Sequence, residues 1–308
     1  MFLLLAFLAQ VALSPEQRAL AYLAQEVPAW PKNNGCFSCH NNGDAARTLY
    51  KAHRLRFPIP RQALAATTGW LRHPDQWDSL PGNPVFSDKR LARIQFAAAL
   101  AEAYESRLLR DPKPLLQAAQ SLISIQHPDG YWPLDGGDTL GSPVTYGIPL
   151  ATALASRALL AIPQSSQSLN PGNRSIAQSR RYLLSLPLAS TLDAAAVLLG
   201  VGSQRPEAVD FLLRAQSPSG AWGPYPNSPA EPFDTAIALL ALVSSSPRLS
   251  VSPSLLDLAR QYLLQTQRPD GSWPETTRPS GTQSYAQRVS TSAWATQALL
   301  ATSPRTPH

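Results

Sequence analysis

Between residues 253 and 266 the apolar positions fall at Leu255, Leu258, Ala259, Tyr262 and Leu263, the spacing of one buried stripe on a helix. The stripe stops at Gln267-Arg268-Pro269-Asp270-Gly271-Ser272-Trp273. The same Gln-x-x-x-Gly-x-Trp pattern recurs at Gln126–Trp132 and Gln216–Trp222. Each copy follows an apolar helix pattern, with Leu122, Leu212 and Leu263 four residues before the Gln. A polar, Pro-rich loop comes after each Trp. A small-residue helix then ends in Ala158-Leu159-Leu160-Ala161, Ala238-Leu239-Leu240-Ala241 or Ala298-Leu299-Leu300-Ala301. The repeating unit is therefore a helical hairpin.

Weaker copies fill the gaps. Arg181-Tyr182-Leu183-Leu184 leads into Asp193-Ala194-Ala195-Ala196-Val197-Leu198-Leu199 without the Gln-Gly-Trp turn. Residues 61–72 and 88–107 pair through Arg72-His73-Pro74-Asp75-Gln76-Trp77, and residues 15–27 pair with 44–54. The pattern predicts an all-α fold of twelve helices in six hairpins, an (α/α)6 toroid in which each unit buries its stripe on its neighbours. In the turn, Gly permits positive φ after the helix, Gln bonds free backbone groups, and Trp covers the junction. These roles are structural.

Composition changes the picture little. The chain has 308 residues, 30 of them Pro, with net charge +6 from scattered Arg and no long run of like charge. That excludes a nucleic-acid footprint. Residues 1–14, MFLLLAFLAQVALS, are apolar and too short for a finished transmembrane helix. They read as a secretory signal before a single domain at 15–308, placing the protein in the periplasm or outside the cell with no stable transmembrane anchor.

Both cysteines lie in Cys36-Phe37-Ser38-Cys39-His40, the attachment pattern of c-type haem. Cys36 and Cys39 would carry haem c by thioether bonds and His40 would bind the iron, in a flexible loop at 33–43 ending where Asp44 caps the next helix. The sixth ligand is open between His73, the preferred candidate, His127 and a vacant site. A Cys36–Cys39 disulfide and a metal loop are the competing readings.

The Gln-Gly-Trp turn with its lead-in Phe211-Leu212-Leu213 resembles the repeat of the squalene–hopene cyclase and prenyltransferase superfamily. The resemblance is close over roughly residues 112–302 and loose over 15–107. It implies a toroid whose central cavity, lined by Ala, Ser and Thr, holds an apolar guest. Its cyclases protonate an alkene with an Asp-x-Asp-Asp motif, and the nearest match is Glu231-Pro232-Phe233-Asp234-Thr235-Ala236. Phe233 stands where the proton donor belongs, so that motif is not expected to operate, and Asp234 reads as a helix cap like Asp193. The prenyltransferases' zinc site needs a Cys ligand, which this chain commits elsewhere. The expected function is an exported haem protein for electron transfer or small-molecule sensing, with a redox partner protein. The alternative is an enzyme or carrier for an apolar, isoprenoid guest, with a structural Cys36–Cys39 loop.

Overall fold

The computed structural model describes residues 13–78, 88–137, 141–163, 171–245 and 251–303. The proposed signal sequence falls largely outside them. Among the described residues, twelve α-helices run in this order: α1 Pro15–Asn34, α2 Ala46–Arg54, α3 Arg61–Leu71, α4 Lys89–Glu105, α5 Lys113–Ile125, α6 Gly147–Leu160, α7 Asn173–Ser185, α8 Thr191–Val201, α9 Glu207–Ala215, α10 Pro232–Ser245, α11 Pro253–Thr266 and α12 Tyr285–Thr302. The six hairpins are those the hydrophobic pattern predicts.

Odd-numbered helices form an outer ring and even-numbered helices an inner one. Outer helices bury one stripe, as α9 does through Ala208, Val209, Leu212 and Ala215. Inner helices are buried almost all round; α10 is buried continuously from Pro232 to Leu242. An inner helix has an outer helix behind it, inner neighbours on both sides and the ring axis in front, so little surface is left for charge. Ala-rich sequence suits that place because small side chains let backbones approach. The inner helices pack in sequence, α2 on α4, α4 on α6, α6 on α8, α8 on α10 and α10 on α12, and α12 packs back on the segment that opens α2.

The Gln-Gly-Trp turn joins one hairpin to the next. Trp132, Trp222 and Trp273 are fully buried. Their Nε1–H groups donate to Leu122 O, Leu212 O and Leu263 O, each at 2.8 Å, covering a free carbonyl in the last turn of the outer helix. Their backbone N–H groups donate to Thr152 Oγ1, Thr235 Oγ1 and Ser292 Oγ on the inner helix. Gln126 Nε2 donates across the unit boundary to Ser175 O at 3.0 Å. Gly130 has φ +97° and lies so close to α7 that an added Cβ would sit 2.3 Å from Gln178 O.

The last turn performs the same task on the first helix. Gln267 Nε2 donates to Pro15 O at 2.9 Å, and a Cβ on Gly271 would lie 2.3 Å from Arg18 O. Arg260 also pairs with buried Glu16. Those contacts close the ring.

Four local expectations change. The stretch expected as a loop at 33–43 is mostly helical: α1 runs to Asn34, and Cys39–Ala45 is a π-helical turn that continues into α2. Asp44 therefore sits inside the helix, and Ser38 caps it by accepting from His40 N and Asn41 N. Asp193 is likewise not the cap of α8; Ser190 is, with Asp193 completing a capping box from the third position. Asp234 also lies inside its helix, in the first turn of α10.

Candidate active site at the mouth of the toroid

Each inner helix begins at the same end of the ring, because every hairpin turns there. This end gathers the first turns of α2, α4, α6, α8, α10 and α12. The Cys39–Ala45 turn is pinned from below. Asn41 Nδ2 donates to Glu26 O and Tyr285 Oη, and Asn42 Nδ2 donates to Val27 O and Thr67 Oγ1. Gly43 allows α4 to approach: a Cβ there would lie 3.0 Å from Gln95 Cβ. The wider π turn inserts an extra residue and re-aims the side chains around it, a device common at functional sites.

The side chain so aimed is Asp44, 1% exposed. Ser290 Oγ of α12 donates to Asp44 Oδ2 at 2.8 Å and Gln95 Nε2 of α4 donates to the same oxygen at 2.9 Å. Tyr146 Oη, from the other side of the ring, donates to Oδ1. Burial pushes the Asp44 carboxyl above the ordinary carboxylate range, opposed by the Arg47 charge and by these hydrogen bonds. His40 Nδ1 lies 3.0 Å from Ser290 Oγ, so a chain of polar groups runs His40, Ser290, Asp44, Tyr146. Burial lowers the His40 imidazole to about 4, so it is neutral at pH 7.

Tyr146 is held at φ 58°, a left-handed conformation costly for a bulky side chain, just before α6. Its ring meets Trp294 of α12 edge-on at 5.8 Å. Helices α6 and α12 face each other across the ring, so this contact crosses the axis. Phe233 of α10 packs on Trp294 at 6.3 Å, and the Arg47 guanidinium carbon lies 4.4 Å over the same indole. The open cavity expected from sequence is at this level filled by side chains.

A second buried acid lies nearby. Asp234 accepts from Arg278 Nη2 at 2.9 Å, and Arg278 Nη1 lies 2.6 Å from Glu231. Burial, partly offset by Arg278, raises Asp234 to about 7. Phe233, where the resemblance asks for an acid, turns its ring to Trp294.

The haem expectation is corrected. Cys39 packs against the hydrophobic core and burial raises its thiol to about 12, far from the thiolate that adds to a vinyl group. Cys36 and Cys39 are both free. His40, the expected axial ligand, turns to Ser290 and the Asp44 network. Of the expected sixth ligands, His73 is exposed at the end of α3, and His127 stacks on Tyr131 at 4.4 Å beside Asp129. Among the described residues no three His, Cys, Asp or Glu side chains are grouped to hold a metal ion. Sequence reasoning missed Asp44 as a site residue, and with it Gln95, Tyr146, Ser290 and Trp294. One signal was present: His40, Asp44, Arg47, Lys51 and Arg54 recur at helical spacing on an element that is otherwise buried.

No protein-family model matches the chain. It is 24% identical over 191 residues to the drimenyl diphosphate synthase of Streptantibioticus cattleyicolor, covering 53% of this chain and 32% of that protein. The chain thus spans about a third of that relative's length. Among solved structures it is similar to a variant of the type II terpene cyclase MstE from Scytonema, in complex with its substrate geranylgeranyl dihydroxybenzoate. The TM-score is 0.58 at 15% identity, over 94% of this chain and 96% of that one. It is equally similar to the unsaturated glucuronyl hydrolase of Bacillus sp. GL1, with a TM-score of 0.58 at 16% identity over 93% and 95% of the two chains. These neighbours share the α/α toroid. Nothing among them points to haem or electron transfer, so the electron-transfer function, its redox partner and the haem c cofactor are set aside.

Proposed function

We propose that this chain is an enzyme acting on an apolar, isoprenoid-type molecule at the mouth of the toroid, with Asp44 as its acid. The observation that carries the reading is a buried carboxyl between a hydrogen-bonded relay and an aromatic cluster. Protonating a carbon–carbon double bond needs a neutral acid in apolar surroundings, and burial favours the neutral form of Asp44. The π electrons of the alkene take the proton, leaving a carbocation and the Asp44 carboxylate. Tyr146, Gln95 and Ser290 donate to the carboxylate so formed. The faces of Trp294, Tyr146 and Phe233 can stabilise a passing cation by about 0.5–2 kcal/mol each. A neighbouring carbon then loses a proton to water, and a proton taken from solvent at His40 Nε2 is matched by one passed from Nδ1 through Ser290 Oγ to the Asp44 carboxylate, which returns acid and imidazole to their starting states. Access for a guest requires the Tyr146–Trp294 contact to open. The drimenyl diphosphate synthase and the terpene cyclase neighbour support this reading.

The test is direct. Purified protein is incubated with linear prenyl diphosphates, the matching alcohols and squalene, and products are read by gas chromatography–mass spectrometry. A cyclised or isomerised product is expected, lost in Asp44→Asn and retained in Asp234→Asn. Unchanged turnover in Asp44→Asn, or no binding of any apolar chain, would overturn the assignment.

A further inference from the structure

The inner helix α2 carries Arg47, Lys51 and Arg54, whereas α8 and α10 carry no basic residue. Arg47 is 6% exposed and stacked on Trp294 inside the ring. Its Nε and Nη2 are buried without a hydrogen-bond partner among the described residues, and so is Trp294 Nε1. The nearest acid, Asp44, is 3.9 Å away and already accepts from Tyr146, Gln95 and Ser290. A buried guanidinium with unused N–H groups is costly, more so than a neutral donor. The protein tolerates that cost where an acceptor is to be bound. Arg47 Nε, Arg47 Nη2 and Trp294 Nε1 are all donors, so a hydrocarbon alone leaves them unsatisfied.

One turn further along α2 stands Lys51, half-buried and without an ion-pair partner within hydrogen-bonding reach among the described residues. Burial lowers its ammonium to about 8; Glu102 opposes the shift, and Arg47, Arg54 and Arg157 add to it. The acids at that end are used elsewhere: Arg54 bonds Glu102 at 3.2 Å, and Arg157 bonds Glu105 at 2.6 and 2.8 Å. A ladder of cations thus runs from the exposed Arg54 to the buried Arg47.

We propose that Arg47 and Lys51, with the Trp294 indole N–H, form an oxyanion-binding subsite inside the ring, for a phosphate or carboxylate group. Arg is suited to this because its planar fork matches two oxygens of such a group, while the stacked indole fixes its plane. The anion is either free or the head of the apolar guest. The subsite stands without the isoprenoid reading but would name its substrate class if both hold.

Calorimetric titration of the full chain separates the cases. The probes are inorganic diphosphate, a prenyl diphosphate of farnesyl length, a prenyl carboxylate and the prenyl alcohol. Inorganic diphosphate is expected to bind, more weakly as salt rises. Arg47→Met and Lys51→Met are each expected to lower its affinity by about tenfold or more, the size expected for one charge-assisted contact. Neither variant should melt below the wild type by more than a few degrees, because removing a buried charge also removes its desolvation cost. Should Arg47→Met unfold the chain, Arg47→Lys replaces it; retained charge with a lost fork is expected to weaken the anion selectively. Diphosphate affinity unchanged in both variants, or no anion binding by the wild type, overturns the subsite. Tight binding of the prenyl alcohol with no gain from its diphosphate or carboxylate overturns the subsite and leaves the isoprenoid reading intact. Anion binding through Arg47 with no binding of any prenyl chain does the reverse.

Discussion

At the residue scale, buried titratable groups shape the pH behaviour of the molecule, Asp234 and His40 in opposite directions. Asp234 is raised from 3.8 to about 7 in the fold. Between those values the folded chain keeps a proton that the unfolded chain has released, so stability falls as pH rises through this window and levels off above it. Each pH unit within the window costs up to about 1.4 kcal/mol. Asp234→Asn should reduce that slope, leaving the part that comes from the likewise raised Asp44, and urea unfolding of wild type and variant across the window measures it; parallel curves would show that Arg278 keeps Asp234 ionised throughout. His40 runs the other way. Its imidazole is lowered from 6.5 to about 4, so its contribution is present above the unfolded value and is lost as pH falls through the folded one. Gly130 is the backbone counterpart. Gly130→Ala meets Gln178 O at 2.3 Å and keeps φ +97°, so it should destabilise by more than the ~1 kcal/mol of an ordinary strained position.

At the element scale, the Gln-Gly-Trp turn works as a rivet between outer helix, inner helix and next unit. Trp222 is fully buried and bonds Leu212 O and Thr235 Oγ1 at once. Trp222→Ala should cost about 3–5 kcal/mol in chemical denaturation, with Trp132 and Trp273 behaving alike. A fall in turnover at unchanged melting temperature would instead assign these indoles to chemistry. The first hairpin departs from the pattern. Its inner helix opens with the π turn Cys39–Ala45, capped by Ser38 and tied down by Asn41 and Asn42. Asparagines that read locally as loop formers are here buried donors to backbone carbonyls of α1. Ser38→Ala should cost about 1 kcal/mol and loosen Asp44, visible as a larger loss of activity than of stability.

At the scale of the whole molecule, closure decides cohesion. The sixth hairpin meets the first through Gln267 and Pro15, Gly271 and Arg18, and the buried Arg260–Glu16 pair. An open stack of hairpins can fray from its ends; a closed ring has none. Glu16→Ala leaves Arg260 without its acid in a mostly buried place and should cost about 3–5 kcal/mol. A single cooperative transition is expected in the wild type, and calorimetry of Glu16→Ala should show it broadened or lowered. Independent melting of residues 15–54 in the wild type would contradict closure.

The sequence by itself determined the hairpins, their number and their all-α closure. Period, turn chemistry and the Ala-Leu-Leu-Ala tails are local signals repeated along the chain, and stacking neighbours simply reads them out. The structural Trp residues were legible for the same reason. The site was not. Cys36-Phe37-Ser38-Cys39-His40 matches a haem pattern as a string, but burial, the π turn and the Ser290 contact give those residues other surroundings. Asp44, Gln95, Tyr146 and Ser290 come from four different hairpins, and Trp294 joins Arg47 only because the ring closes. No window of sequence holds those pairs; the tertiary structure brings them together because the first three turns of the inner helices converge around one axis.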